Sequence, residues 1–416
     1  MNKTHITPLV FIILSIWNYS VFGQFHVSDL MAPGEVSLSI DSLDKMDLYF
    51  HNLVDEKRLA GIQIGIIRDK KLVHYDTYGY NNIEEHITLE DKSIFRIFSM
   101  TKPIVSVALM QLYEAGKFKL DDPLHLYIPA FENMQVYQDS VISPAKNPIL
   151  IIDLLRHTSG YNYGNSSNVE LREYYRAANV FSSVTNEEFV KKLSTVPLQF
   201  EPGSDWQYGL STNICGYLVE VLSGQSLDQY LYKFILEPLQ MNDTHFHLPE
   251  DKVSRFTVGY RWNEDGGLFI SERADSNRYV NEVSLYNGGG GLVSTTVDYL
   301  NFCQMMLNKG TLGDARILEA ETVELMLADH LQSTRDHQEE RLRLPRGEAS
   351  FGLGFAIRGE RVDALEKVYG WGGAVGTYFK IDVEHNLAYV MMIQLSPHRH
   401  LELRSRLQEF VSSSVK

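Results

Sequence analysis

Apolar residues recur with helical spacing at Leu43, Met46, Phe50, Leu53 and Val54, and the pattern stops at Gly61. This predicts an amphipathic helix near the start of the folded chain. The next stretch, GIQIGIIRDKKLVHYDTYGY, reads as two strands joined by a tight turn at Asp69 to Lys71, a hairpin. From Ser99 to about Leu285 the period changes, with helical patterns at 103–115, 150–155, 186–194, 211–223 and 226–235 separated by Pro- and Gly-bearing loops. Strand signals return only in GTYFKIDVEHNLAYVMMIQLS, before a closing helical segment at 401–411. Early and late strands with helices between them predict an α/β (α+β) fold. Its antiparallel sheet is built from both chain ends and flanked by helices, with an inserted, mainly helical lobe. The sheet lobe is expected over about 24–98 plus 286–416 and the helical lobe over about 99–285, together one domain, 24–416. The segment DHLQSTRDHQEERLRLPRGEAS is charged and irregular and reads as an exposed excursion.

The first residues break this pattern. Lys3 precedes an apolar core from Leu9 to Trp17, followed by polar residues and then Val21 and Gly23 before Gln24. The core is far shorter than the roughly 20 residues of a membrane span, so 1–23 reads as a signal peptide and the protein as secreted or periplasmic. An uncleaved anchor is the alternative. No Cys lies near the cut site, which argues against a bacterial lipid anchor, and no other apolar run is long enough to cross a bilayer. The net charge of -15 repels nucleic acid and anionic membrane surfaces. Only Cys215 and Cys303 are present, each in an apolar helical pattern, which excludes a disulfide framework and predicts buried free thiols.

The chemistry starts from FRIFSMTKPI, where Ser99 and Lys102 form a Ser-x-x-Lys. The spacing alone decides nothing, because Ser42/Lys45, Ser143/Lys146 and Ser413/Lys416 share it. Ser42 and Lys45 fall on the amphipathic helix as a solvated pair, Ser143 and Lys146 in Pro-bearing loop material, and Ser413 and Lys416 in a terminus expected to fray. Ser99 differs in context. Pro103 suits a first helical turn, and Ile104, Val107, Ala108 and Leu112 give an apolar face before Gly116. A serine there lies near the positive end of the helix dipole, with Lys102 one turn on along the same face. A hydroxyl needs an adjacent base to become a nucleophile, and a lysine serves only when burial or positive potential keeps it neutral. The competing reading makes Ser99 a helix cap and Lys102 a surface residue.

Two later stretches bear on that choice. EPGSDWQYGLSTNICGYLVEVLSG places Tyr208 after a Pro-Gly turn and just before a helix, although most tyrosines are packing residues. YGWGGAVGTYFKID places Gly372 and Gly373 at the expected start of a strand, where a substrate can lie against bare backbone, or where glycines merely serve a turn. In the first case the N–H groups of Ser99 and Ala374 form an oxyanion hole.

In this order, the three stretches resemble the serine β-lactamase and penicillin-binding-protein superfamily, most closely class C β-lactamases and family VIII esterases. GKFKLDDPLHLYIPAF, IIDLLRHTSGY, YLYKFILEPLQMNDTHFHLP and GGGGLVSTTVDYLNFCQMMLNKG also look like family segments, so the resemblance runs from about residue 40 to 395. It implies a β-lactamase/transpeptidase-like fold. Ser99 then matches the acylated serine, Lys102 the general base and Tyr208 the tyrosine that shares proton transfer. Trp371, Gly372 and Gly373 stand where the family has Lys-Thr-Gly, and Ala374 where a backbone N–H completes the oxyanion hole. Two departures concern substrate. Leu210 replaces an Asn that would bond an acylamido group, and Trp371 replaces a Lys that would pair with a carboxylate. Trp-Gly-Gly is typical of the esterase branch, and an aromatic wall suits an apolar acyl or alcohol group.

These residues predict an exported serine hydrolase, a carboxylesterase acting through an acyl-enzyme on Ser99, with a small ester or amide as its partner and no cofactor. A D-amino-acid peptidase or β-lactamase is the runner-up, and a catalytically silent ligand-binding relative is the reading from another class. His245 and His247 form a His-x-His without a suggested third ligand, so no metal is expected. RHTSG has no evident catalytic partner, NGGGGL lacks the dinucleotide-fingerprint spacing, and Gly-x-Ser-x-Gly does not occur.

Overall fold

The computed structural model describes residues 25–416 apart from 139, 264–266, 282, 333–343, 345–347 and 360–364. The expected signal at 1–23 and most of the charged excursion lie outside the described residues. Three strands come early, β1 (Gly61–Arg68), β2 (Lys71–Asn82) and β3 (Ile87–Thr88). Five come late, β4 (Glu348–Phe351), β5 (Ala356–Gly359), β6 (Leu365–Gly372), β7 (Tyr378–Asp382) and β8 (Leu387–Met392). They form one sheet in the order β4-β5-β6-β7-β8-β1-β2-β3, antiparallel at every step. The two ends of the chain meet at the β1/β8 seam, with Gln63 opposite Met392 and Arg68 opposite Leu387. Asp69 and Lys70 turn the first hairpin with φ of 51° and 65°, the left-handed pair a two-residue turn requires.

Alternation along β1 sorts its side chains. Ile62, Ile64 and Ile66 pack with Leu43, Met46 and Phe50 of helix α1 (Ile40–Asp55) and with Leu407 and Val411 of the C-terminal helix (Leu403–Ser414). On the opposite face a helix spanning Thr296–Leu307 crosses the sheet at Gly65, where a Cβ would lie 2.7 Å from Leu300 Cδ1. Beyond it, in the larger apolar cluster, lies helix α2 (Thr101–Glu114) with the helix Ser211–Ser223. The sequence predicts one apolar face for α2, yet every residue from Thr101 to Met110 is buried. Its polar side is covered by loop backbone: Gly354, at φ 94°, comes so close to Ser106 that a Cβ would be 2.4 Å from its hydroxyl.

Other expectations change in the structure. Gly372 ends β6 rather than starting a strand, and a short turn leads on to β7. Ser143 lies in a strand, Val141–Pro144, paired with Gln135–Gln138, not in a loop. The C terminus does not fray, since Ser413 is helical and Lys416 N–H donates to Ser37 O at 3.1 Å. Lys45 is solvated as expected and pairs with Asp41 at 2.7 Å. Cys215 and Cys303 are free and buried. Among the described residues no helix is long and apolar enough to cross a membrane.

Candidate active site

Ser99 lies in a single 3-10 turn, Phe98–Met100, that runs directly into α2. Phe98 before it has φ 43°, a costly conformation for an aromatic residue that the surrounding packing must hold. Lys102 follows on the first turn of α2 and is only 2% exposed. Its Nζ donates to the carbonyl of Gly289 and lies in hydrogen-bond contact with two hydroxyls, Ser99 Oγ at 3.3 Å and Tyr163 Oη at 2.7 Å. It also lies 4.8 Å from the centre of the Tyr208 ring. Among the described residues Lys102 has no carboxylate partner, so nothing offsets its desolvation by a full opposite charge.

Burial therefore lowers the Lys102 pKa, and the attraction of Tyr208 only partly opposes this. For Tyr208, burial pushes the phenol up, but the Lys102 charge and hydrogen bonding with Lys102, Ser99 and Trp371 prevail, leaving its pKa below the ordinary value. Tyr163 goes the other way: burial and the neighbouring Tyr208 hold it well above the usual range, as a protonated phenol. A hydroxyl, a desolvated amine and a phenol of lowered pKa thus lie side by side.

Each partner has a local cause. The Tyr208 hydroxyl receives the indole N–H of Trp371 at 3.0 Å, and the rings lie 4.9 Å apart. Behind Tyr208, the buried His157 ring sits 5.0 Å away, and burial, reinforced by Lys102, keeps that imidazole neutral. The loop at 287–291 aims the Gly289 carbonyl at Lys102: Asn287 Oδ1 accepts both Gly289 N–H and Asn213 Nδ2. A Cβ at Gly289 would be 2.1 Å from Asn213 Oδ1, so a side chain there would push the Asn213 amide from its bond to Asn287. The end of β6 is pressed onto the Ser99 turn, since a Cβ at Gly373 would lie 2.6 Å from Ile97 O. Ala374, the next residue, is exposed.

The structure thus brings Ser99, Lys102, Tyr208 and Trp371 together, and the β6–β7 turn that carries Gly373 and Ala374 abuts Ile97, two residues before Ser99. It moves two side chains away from the role expected for them. Leu210, 2% exposed, heads the helix Ser211–Ser223 and joins the core with Ile214 and Leu218, so it does not line a cleft. Trp371, 8% exposed, faces Tyr208 and Phe351 and acts as a prop for the phenol more than as an open wall. Gly372 is covered by Arg404, whose Cζ a Cβ would meet at 2.4 Å. Tyr163, Gly289 and Arg404 escaped the sequence reading, because no spacing relates them to Ser99. Of the rejected signals, His245 Nε2 meets Lys252 Nζ at 3.1 Å and His247 Nδ1 meets Asn281 O at 2.8 Å.

Comparison with known proteins adds to this geometry. The sequence model of the Beta-lactamase family matches residues 46–411. An uncharacterized Mycobacterium tuberculosis protein is 30% identical over 374 residues, 86% of this chain and 91% of the relative. A putative D-alanyl-D-alanine carboxypeptidase of Escherichia coli is 26% identical over 410 residues, 90% of this chain and 87% of its own. Esterase EstB of Burkholderia gladioli is 29% identical over 243 residues, 55% and 57% of the two chains. Among solved structures, EstCE1, described as a hydrolase with promiscuous acyltransferase activity, superposes with a TM-score of 0.72 at 25% identity, covering 88% of this chain and 98% of that one.

Proposed function

Because the chain belongs to the Beta-lactamase family of serine hydrolases, we propose that it is an exported carboxylesterase whose nucleophile is Ser99. Ser99 Oγ attacks the ester carbonyl carbon while its one proton passes to Lys102, from which Tyr208 can relay it to the leaving group. The N–H groups of Ser99 and Ala374 hold the resulting oxyanion. Collapse of this intermediate breaks the bond to the alcohol oxygen, which receives the proton, and leaves the acyl group on Ser99. Water, deprotonated by the same pair, then releases the acid. The observation that carries the reading is the 3.3 Å contact from Ser99 Oγ to a lysine that burial drives toward its neutral form.

The preference for esters rests on what surrounds the pair. At position 371 an indole replaces an ammonium, and its N–H is already engaged by Tyr208, so it offers no charge to a substrate carboxylate. Leu210 offers no hydrogen bond to an acylamido group and lies in the core. The esterase named among the relatives agrees with this direction. Export rests on Lys3 and the apolar run Leu9–Trp17, and cleavage after Gly23 in secreted material checks it. A panel of p-nitrophenyl esters, nitrocefin and D-alanyl-D-alanine peptides tests the substrate class. Short-chain esters should be turned over fastest, and a strong preference for the lactam or the peptide overturns the reading.

Trp371→Phe provides a narrower test, keeping the ring but removing the N–H from Tyr208. The phenol pKa should rise, the rate limb set by Lys102 should not move to higher pH, and acylation should slow by roughly tenfold at neutral pH, equivalent to about 1.4 kcal/mol and near the low end for a hydrogen bond to a charged group. Stopped-flow acylation across pH checks both.

A further inference from the structure

Arg404 stands in the C-terminal helix (Leu403–Ser414) and reaches across to the β6–β7 turn. Its Nη2 donates to Gly373 O at 2.5 Å and to Thr377 O at 3.1 Å. Its carbon Cζ lies over the Tyr378 ring at 5.3 Å. Among the described residues it has no carboxylate within ion-pair distance, and its Nε is buried without a partner. Burial accordingly lowers its pKa. A guanidinium that is desolvated and directed at two backbone carbonyls is an expensive way to tie a turn. Gly372 makes the arrangement sterically feasible, since any side chain there would displace the guanidinium.

The carbonyl it binds is the decisive detail. Gly373 C=O and Ala374 N–H belong to one planar trans peptide, so they point in opposite directions. A cation on the oxygen side fixes the plane of that peptide and polarises its N–H, which strengthens the donor at the far end. The other bonds of the turn complete the frame. Gly373 N–H donates to Thr377 O at 2.8 Å, and Thr377 Oγ1 donates to Ile97 O at 3.4 Å, two residues before Ser99.

We propose that Arg404 is a positioning residue that sets the orientation and donor strength of the Ala374 N–H in the oxyanion hole. This rests on the reading of Ser99 and Ala374 given above. Arg404 does not touch the substrate; it acts through the Gly373–Ala374 peptide.

The test is the infrared band of a ¹³C-labelled acyl carbonyl on Ser99, formed from a slowly deacylating p-nitrophenyl ester, in the wild type, Arg404→Met and Arg404→Lys. In Arg404→Met the band should move to higher wavenumber, because the carbonyl is less polarised. Acylation should slow roughly tenfold, less than the 10²–10³-fold cost of losing a whole oxyanion donor, with KM changed by less than about twofold. Arg404→Lys, with a single compact donor group in place of the fork, should give a smaller shift in the same direction. If Arg404→Met does not fold, the Lys variant decides by the same band. A wild-type band that neither variant moves overturns the role of Arg404 alone, even if melting temperature falls. Loss confined to esters bearing a carboxylate also overturns it, since Arg404 would then be binding substrate. A wild type that forms no Ser99 acyl band overturns the underlying assignment of Ser99 and this role with it.

Discussion

Replacing Lys102 with methionine should slow acylation of Ser99 by about 10²–10⁴-fold, the usual contribution of a general base, while the melting temperature stays level or rises. Both halves follow from one fact: Lys102 is 2% exposed and has no carboxylate partner among the described residues. The amine is held ready to take a proton by an environment that disfavours its charge, and a methionine of similar length escapes that penalty. The pH dependence follows the same sign. With its folded pKa lowered by burial, Lys102 loses its proton below the ordinary lysine value of about 10.4, and acylation rises as pH passes through that lowered pKa. Between the two pKa values the unfolded chain binds a proton that the folded chain does not, so folding stability rises with pH across this window. Lys102→Met should abolish both the rate limb and this stability slope. Stopped-flow acylation and chemical denaturation over a pH series measure them; a variant that keeps the rate limb would assign the base elsewhere.

Tyr208→Phe should lower kcat by about 10²–10³-fold with little change in KM, within the range for a group that passes a proton in the transition state. The ring remains over Lys102, but the hydroxyl between Ser99, Lys102 and Trp371 is gone. The direction of the pH shift separates this from a packing defect. Tyr208 raises the Lys102 pKa through its charge and hydrogen bond, so removing the phenol lets that pKa fall further and moves the rate limb to lower pH. An unshifted limb would mean that Tyr208 is not coupled to the base. The variant also leaves the Trp371 indole N–H without its acceptor, so some loss of stability is expected as well.

What the sequence discloses depends on how local the cause is. The first hairpin is legible because alternation in GIQIGIIR and a turn at Asp69 and Lys70 act within a few residues. The seam joining β1 to β8 is legible only as an expectation that both chain ends share one sheet. Ser99 and Lys102 stand out from three identical spacings because Pro103 and the apolar residues after it define a helix head. That Lys102 is buried is not legible: its partners Gly289 and Tyr163 come over the head of α2 from distant segments. The Gly372 position misleads for a similar reason, since VYGWGG alternates poorly and the turn to β7 is fixed by Thr377, Ile97 and Arg404. Leu210 shows the limit of motif correspondence. The resemblance implies a polar site at this position, but the helix it heads draws the leucine into the core.

The most direct measurement is peptide mapping by mass spectrometry after reaction with a fluorophosphonate, for the wild type and Ser99→Ala side by side. One adduct per chain on the peptide carrying Ser99, absent from Ser99→Ala, is the predicted result. An adduct on any other residue, or labelling that survives the substitution, would contradict it.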